Sequence, residues 1–347
     1  MIRPCVFGFL TAAAQAAEPA PGTTFYHTSY PEASAVSVAG TPPRWLVVAD
    51  NELPSLALYP LEPQSDKVHR PALIAGTSPA YAVDDLEAMT VLPWDPNGDG
   101  KPGPVYHVLA GSCSRTKKGK VVAEREALLA VRIEADGKFT PAAEVKFNRT
   151  LRAQLRALGG EHEAEPWGMV LRDSVWKQGA GAESQDTALA GAAGLNIEGL
   201  SVSKDGRSLL LGLRSPLVQG RALVIPVTNA VAALGLGGSD PQPIAAGEPV
   251  LLDLGGLGIR SIEWDAERKA YLIAAGDAGD AKVFRYYTWT GEAAATPVKV
   301  KAPGAITRLQ PEGIAPVPGR KQAAVVMDGE AGGPHHEGYW VDFGPAH

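Results

Sequence analysis

Five positions recurring along the chain carry side chains able to act together: Ser34, Glu87, Glu198, Arg260 and Glu312, each opening a short alternating segment. Asp50, Arg214 and Asp328 close longer apolar segments that follow three of them. Converging carboxylates bind Ca²⁺ or activate water, and arginines hold carboxylate or phosphate through paired hydrogen bonds. The structural alternative is that repeat-equivalent glutamates tie one sheet to the next, with the arginines as internal counter-charges, because buried charges normally occur in pairs.

A second pattern is Asp95-Pro-Asn97-Gly-Asp99-Gly-Lys101. Oxygen ligands at the first, third and fifth places followed by glycine suit calcium, because glycine lets the chain turn sharply round the ion. The stretch resembles the calcium loops of integrin-type propellers and of calcium-binding hands. It departs from them at Tyr106, where a hand places Glu, and at Gly103, where the propeller loop has Asp. Asp95, Asn97 and Asp99 thus form either a calcium site of weak affinity, about 10⁻⁴ to 10⁻³ M, or a glycine-rich turn. His335-His336-Glu337 and Glu161-His-Glu-Ala-Glu165 lack a second half at metal-ligand spacing and read as exposed polar loops. Gly111-Ser112-Cys113-Ser114 lacks the second glycine of a nucleophile elbow, and Cys113 reads as a small buried hydrophobe.

These residues must be positioned by strands. Five times a short alternating strand, a polar turn and a longer apolar strand succeed one another. They run from Ser34 to Asp50, Glu87 to Gly111, Glu198 to Arg214, Arg260 to Gly276 and Glu312 to Asp328. Leu200 and Val202 show the period of two that marks a half-buried strand, whereas Leu209–Leu213 is apolar throughout and must be covered on both faces. Further strands are legible at 55–61 with 68–74, 128–133 with 142–147, and 283–289 with 297–301. Four antiparallel strands per repeat make the blade of a β-propeller, so an all-β fold is expected. The last repeat has one further strand, 339–343, and the orphan strand 24–28 completes it, leaving no long sheet edge exposed. An antiparallel hairpin returns its chain to the edge where it began, so all the chemistry-bearing positions belong on one rim of the channel.

Equivalent positions lie 53, 111, 62 and 52 residues apart, so the second interval is one blade too long. Five blades with an insertion over 148–195 is the favoured reading, and six blades the alternative. The insertion offers a short helix, 151–158, ended by Gly159-Gly160, a strand around Trp167–Arg172, and a Gly/Ala-rich linker from Gly179 to Gly194. Arg149, Arg152 and Arg156 read as a solvated helix face.

Glycine and proline, 39 and 29 of 347 residues, fall below the share that marks disorder. The net charge of −6 supplies no basic field for nucleic acid, and no segment reaches the length of a membrane span. Arg3, the apolar run from Val6 to Ala14, and Ala14-Gln15-Ala16 fit a secretory signal over residues 1–16. The remainder, 17–347, is expected to be one propeller domain, periplasmic or secreted. Cys5 would leave with the signal, so no intrachain disulfide could form with Cys113.

At Asn196-Ile-Glu-Gly-Leu, Leu211-Gly-Leu-Arg-Ser-Pro and Asp253-Leu-Gly-Gly-Leu-Gly-Ile-Arg-Ser-Ile-Glu-Trp, the chain resembles an uncharacterised bacterial family of exported propellers, a domain of unknown function. The likeness is strongest from Gly194 to Gly276. More distantly, the Glu-Gly strand starts resemble the esterase-like phytase group. That likeness implies metal-assisted phosphoester hydrolysis, although no lysine cluster stands near the acidic strand starts to hold phosphate. The expectation is a small-molecule ligand or a divalent cation such as calcium, held by the rim of Glu87, Glu198, Arg214, Arg260, Glu312, Asp50 and Asp328. A phosphoester hydrolase and a structural or protein-binding propeller are the rivals.

Overall fold

A computed structural model describes residues 24–28, 33–51, 55–61, 69–73, 83–93, 105–114, 122–133, 146–148, 150–176, 194–278, 283–301, 310–328 and 336–344. The expected signal segment, the Asp95, Asn97 and Asp99 loop, Arg149, His335 and most of the Gly/Ala-rich linker lie outside these residues.

The chain opens with β1 (Thr24–Thr28). The first full sheet is a meander of β2 (Ala33–Ala39), β3 (Trp45–Asp50), β4 (Ser55–Pro60) and β5 (His69–Leu73). The second holds β6 (Leu86–Pro93), β7 (Val105–Gly111), β8 (Leu128–Arg132) and β9 (Lys146–Asn148). Helices α1 (Leu151–Glu161) and α2 (Pro166–Trp176) follow. The third sheet holds β10 (Asn196–Val202), β11 (Leu209–Ser215), β12 (Ala222–Val227) and β13 (Val250–Leu252), with the short α3 (Ala230–Ala233) before β13. The fourth holds β14 (Gly258–Asp265), β15 (Ala270–Gly276), β16 (Phe284–Trp289) and β17 (Val298–Val300). The chain finishes with β18 (Gln310–Pro316), β19 (Gln322–Asp328) and β20 (His336–Asp342). β20 pairs antiparallel with β1, giving the order β1-β20-β19-β18, as the orphan strand predicted.

The described residues thus form five four-stranded antiparallel sheets. The opening strands pack in sequence, β2 on β6, β6 on β10, β10 on β14, β14 on β18, and β18 on β2. Alternation along the apolar second strands divides their side chains between two cores, as a strand sandwiched between sheets requires. Leu209, Leu211 and Leu213 enter the core shared with the second sheet, whereas Leu210 enters the core shared with the fourth. Likewise Tyr271, Ile273 and Ala275 face one neighbour, and Leu272 and Ala274 the other. Ala324 and Val326 of β19 pack with Val36 and Val48 of the first sheet, joining last to first. This is the arrangement of a β-propeller.

Hydroxyl groups stitch the opening strands together. Thr90 Oγ1 accepts from the Val202 amide at 3.1 Å, Ser201 Oγ from the Trp264 amide at 2.9 Å, and Ser261 Oγ from the Ile314 amide at 3.0 Å. Each bond satisfies a backbone donor facing the channel that no sheet ladder reaches.

Three expectations in the insertion are corrected. Gly159-Gly160 do not end α1, which runs through them to Glu161, and Trp167–Arg172 is helical, not a strand. Gly159 and Gly168 serve an interhelical approach, whereas Gly160 faces open space: a Cβ at Gly159 would lie 2.5 Å from the Arg172 amide, and one at Gly168 would lie 1.9 Å from the His162 carbonyl oxygen. Pro166 opens α2, where its missing N–H costs nothing. Trp167, Val170 and Leu171 recur at helical spacing and join Leu151 and Leu155 in the core between the second and third sheets. Arg152 is likewise no part of a solvated face; it is buried, donating from Nε to Glu126 at 2.7 Å and from Nη2 to the Cys113 carbonyl. Arg156 is exposed. Cys113 is buried as expected, and burial pushes its thiol up to about 12. Residues 161–165 are exposed. Among the described residues no helix is long and apolar enough to cross a membrane.

Candidate functional site

Each opening strand carries one residue that its partner leaves unmatched. The register shifts across Ser34, Glu87, Glu198, Arg260 and Glu312 in turn, leaving each without an opposite residue. Such a bulge bends the strand and re-aims the extra side chain. The β10/β11 ladder shifts a second time, so Arg214 is also unmatched. The residue after each bulge is small: Ala35, Ala88, Gly199, Ser261 and Gly313. A Cβ at Gly313 would lie 2.7 Å from the Val36 amide nitrogen, and one at Gly199 would lie 2.6 Å from Ile259 Cγ2. The Glu-Gly pairs of the sequence therefore mark a charge aimed by a bulge, followed by a close approach to the neighbouring sheet.

The bulged charges meet. Arg260 is buried and pairs through Nη1 with Glu312, while Glu198 Oε2 lies 3.7 Å from the same nitrogen. Arg214 Nη1 donates to Glu198 Oε1 at 2.8 Å, as does Asn196 Nδ2 at 2.9 Å, and Arg214 Nε donates to the Asp277 carbonyl at 3.0 Å. The stem of Arg260 passes over Gly276, where a Cβ would stand 2.7 Å from Arg260 Cδ, and its guanidinium lies 5.4 Å from the centre of the Phe284 ring. Glu87 accepts from Asn51 Nδ2 at 3.4 Å. Asp328, opposite Gln310, accepts from Gln310 Nε2 at 3.3 Å. Asp50 is buried at the equivalent end of β3, opposite Ala33. Ser34 turns instead to its own sheet, donating to the Ala49 carbonyl at 3.4 Å.

Burial dominates the electrostatics. It raises the Glu87 carboxyl well above its ordinary range, with Glu198, Asp85 and Glu312 adding repulsion and Asn51 opposing. Burial likewise raises Glu312, to about 8; Arg260 and Arg214 pull it down while Glu198 and Asp328 push it up. For Arg260 burial disfavours the charge, but Glu312, Glu198 and Glu87 outweigh it and hold the guanidinium ionised. Tyr286 stands close enough to Glu312 for that charge, after burial, to raise its hydroxyl. Among the charged residues Glu198 Oε2 and Arg260 Nε are buried without a hydrogen-bond partner, as are Asn51 Oδ1, Asn196 Oδ1 and the Tyr286 hydroxyl beside them.

The structure thus gathers Glu87, Glu198, Arg214, Arg260, Glu312 and Asp328 into one electrostatic cluster, with Asp50 at the same edge of its sheet. Asn51, Asn196, Tyr286 and Gln310 belong to it too; the first two were legible only as polar neighbours of rim positions. Beside it Asp85 accepts from Ser112 and, at 2.9 Å, from Ser114, and pairs with Arg125 at 3.0 Å. A Cβ at Gly111 would lie 2.4 Å from the Arg125 carbonyl, so the Gly-Ser-Cys-Ser stretch is shaped by this contact. Among the described residues no group of three or more His, Cys, Asp or Glu side chains is disposed to hold a metal ion.

Residues 187–326 match the family model described as a protein of unknown function, DUF3616. That span contains the stretch from Gly194 to Gly276 whose motifs carried the resemblance. No curated protein matches the chain. The chain is similar to the β-propeller domain of Cps50 (Swd1) from Myceliophteria thermophila, at 11% identity and a TM-score of 0.36, over 90% of this chain and 98% of that one. It is also similar to Kuenenia stuttgartiensis hydrazine synthase, at 11% identity and a TM-score of 0.38, over 88% of this chain and 58% of that one.

Proposed function

We propose that the chain is an exported five-bladed propeller that binds a small polar molecule at the mouth formed by Glu87, Glu198, Arg214, Arg260 and Glu312. The observation that carries this reading is the pair of buried, unpartnered atoms within the paired charges, Glu198 Oε2 as acceptor and Arg260 Nε as donor. A molecule offering one donor and one acceptor, neutral overall or zwitterionic, would complete both without unbalancing the ring. Five blades are supported by the packing of β18 on β2 and by α1 and α2 being the elements described between β9 and β10. Export to the periplasm or beyond is supported by Arg3, the apolar run and Ala14-Gln15-Ala16. Calcium belongs in this reading to Asp95, Asn97 and Asp99, on the spacing of their oxygens.

A scaffold role is favoured by one specific feature: Arg260 of β14 reaches glutamates of both β10 and β18, tying three sheets. Phosphoester hydrolysis rests on the distant resemblance alone, because both ring arginines are engaged by glutamates.

The test is Glu198→Gln against the native chain, in a melting-temperature screen of amino acids, polyols, phosphoesters and Ca²⁺, with and without chelator. A ligand-induced rise lost in the variant, whose own melting point is near native, is the expected result. A variant that cannot fold indicates the scaffold, and chelator-sensitive phosphoester turnover indicates the hydrolase. No shift with chelator, nor with Asp99→Ala, removes calcium.

A further inference from the structure

At the other end of the opening strands lies a cavity of about 610 Å³, within the range of small-molecule sites. Its wall is built by one position repeated round the axis: Val38, Val91, Val202, Trp264 and Pro316, each four residues beyond a bulge. One residue earlier the repeat reads Ser37, Thr90, Ser201, Glu263, Ala315, so hydroxyl or small residues are interrupted once by a carboxylate.

Glu263 lines the cavity. Its Oε1 accepts from Thr90 Oγ1 at 2.8 Å, and Thr90 in turn accepts from the Val202 amide, so the hydroxyl proton is committed and the carboxyl is held in place. Its Oε2 is buried and has no hydrogen-bond partner. His107, also lining the cavity, is fixed by Ser37 Oγ at 2.8 Å from Nδ1, and burial lowers it to about 4, so it adds no charge near neutral pH. Arg132, the remaining charged lining residue, has an interaction of its own.

A buried acceptor inside an apolar wall selects for a ligand that is greasy except at one donor. Burial raises the Glu263 carboxyl well above its ordinary range, so its charge is favoured only against a bound cation, and a cationic donor is the partner it selects. An aromatic face on the same wall stabilises a cation further. We infer that this chamber binds a small apolar primary amine, its ammonium group on Glu263 Oε2 and its hydrocarbon skeleton against Trp264 and the valines. The site is independent of the charged mouth.

The test uses the full chain with phenethylamine, cyclohexylmethylamine and 3-methylbutylamine, each compared by calorimetry with its matching alcohol and carboxylate. At least one amine is expected to bind about tenfold or more tightly than its alcohol, with no carboxylate binding. Glu263→Gln should erase that preference while leaving the alcohol's affinity unchanged. Should that variant fail to fold, Ala266→Trp, at an exposed position on the cavity lining, should abolish amine binding without lowering the melting point. Equal affinity for amine and alcohol overturns the proposal. So does failure of every amine at millimolar concentration, or an amine preference that survives either variant.

Discussion

The two ends of the channel are made by the same five strands, three or four residues apart, and they solve the problem of buried polarity differently. At the bulges, full charges are answered by side chains from other sheets, as Arg260 is by Glu312. Beyond the bulges, hydroxyls are answered by backbone amides of the next sheet, as Thr90 is by Val202. A charge needs a partner of opposite sign, whereas a hydroxyl accepts whatever donor the backbone presents. The bulge end therefore depends on a matched set of side chains, and the far end leaves room for a cavity.

The difference breaks most visibly at Arg260. Replacing it by Met leaves three glutamates without their shared counter-ion and should destabilise the fold by about 3–5 kcal/mol in urea titrations. Thr90→Val strands one amide and one carboxylate oxygen, and should cost about 1–3 kcal/mol. A Thr90→Val loss exceeding that of Arg260→Met would reverse the account of which end holds the sheets together.

The smallest effect is in pH, where Glu312 at the bulge end and His107 at the far end act with opposite signs. Glu312, raised from 4.5 to about 8, holds its proton more tightly folded than unfolded. Its contribution is complete below the unfolded value and is lost as pH rises through about 8, with Glu87 acting in the same direction. His107, lowered from 6.5 to about 4, works the other way: stability falls as pH drops from 6.5 towards 4. The two windows overlap from 4.5 to 6.5, where the opposing slopes offset each other, so the melting temperature should fall on the alkaline side of 6.5, and Glu312→Gln should make that fall shallower without altering the acid limb. A melting temperature still climbing from pH 6.5 to 8.5 would contradict the burial of the charged mouth.

The rim was legible because its signal is local: a charge, a small residue and an apolar residue, repeated at blade spacing. The bulges were not read, although Ser34 and Ser37 contain the clue, since residues three apart cannot share a face of a regular strand. Glu263 was hidden because it occupies a hydroxyl's place in the repeat. In the insertion, Trp167, Val170 and Leu171 carried a helical period that a strand cannot explain, while the purpose of Gly159 depended on a second helix that no local pattern encodes.

The pairing of β1 with β20 has a consequence for biosynthesis. Residues 24–28 leave the ribosome about 300 residues before 336–342, their partners. Until then the final sheet cannot be finished, and a product truncated ahead of residue 336 would present an unpaired strand of the kind that recruits other chains. Pairing of β1 therefore waits until the last described strand has been made.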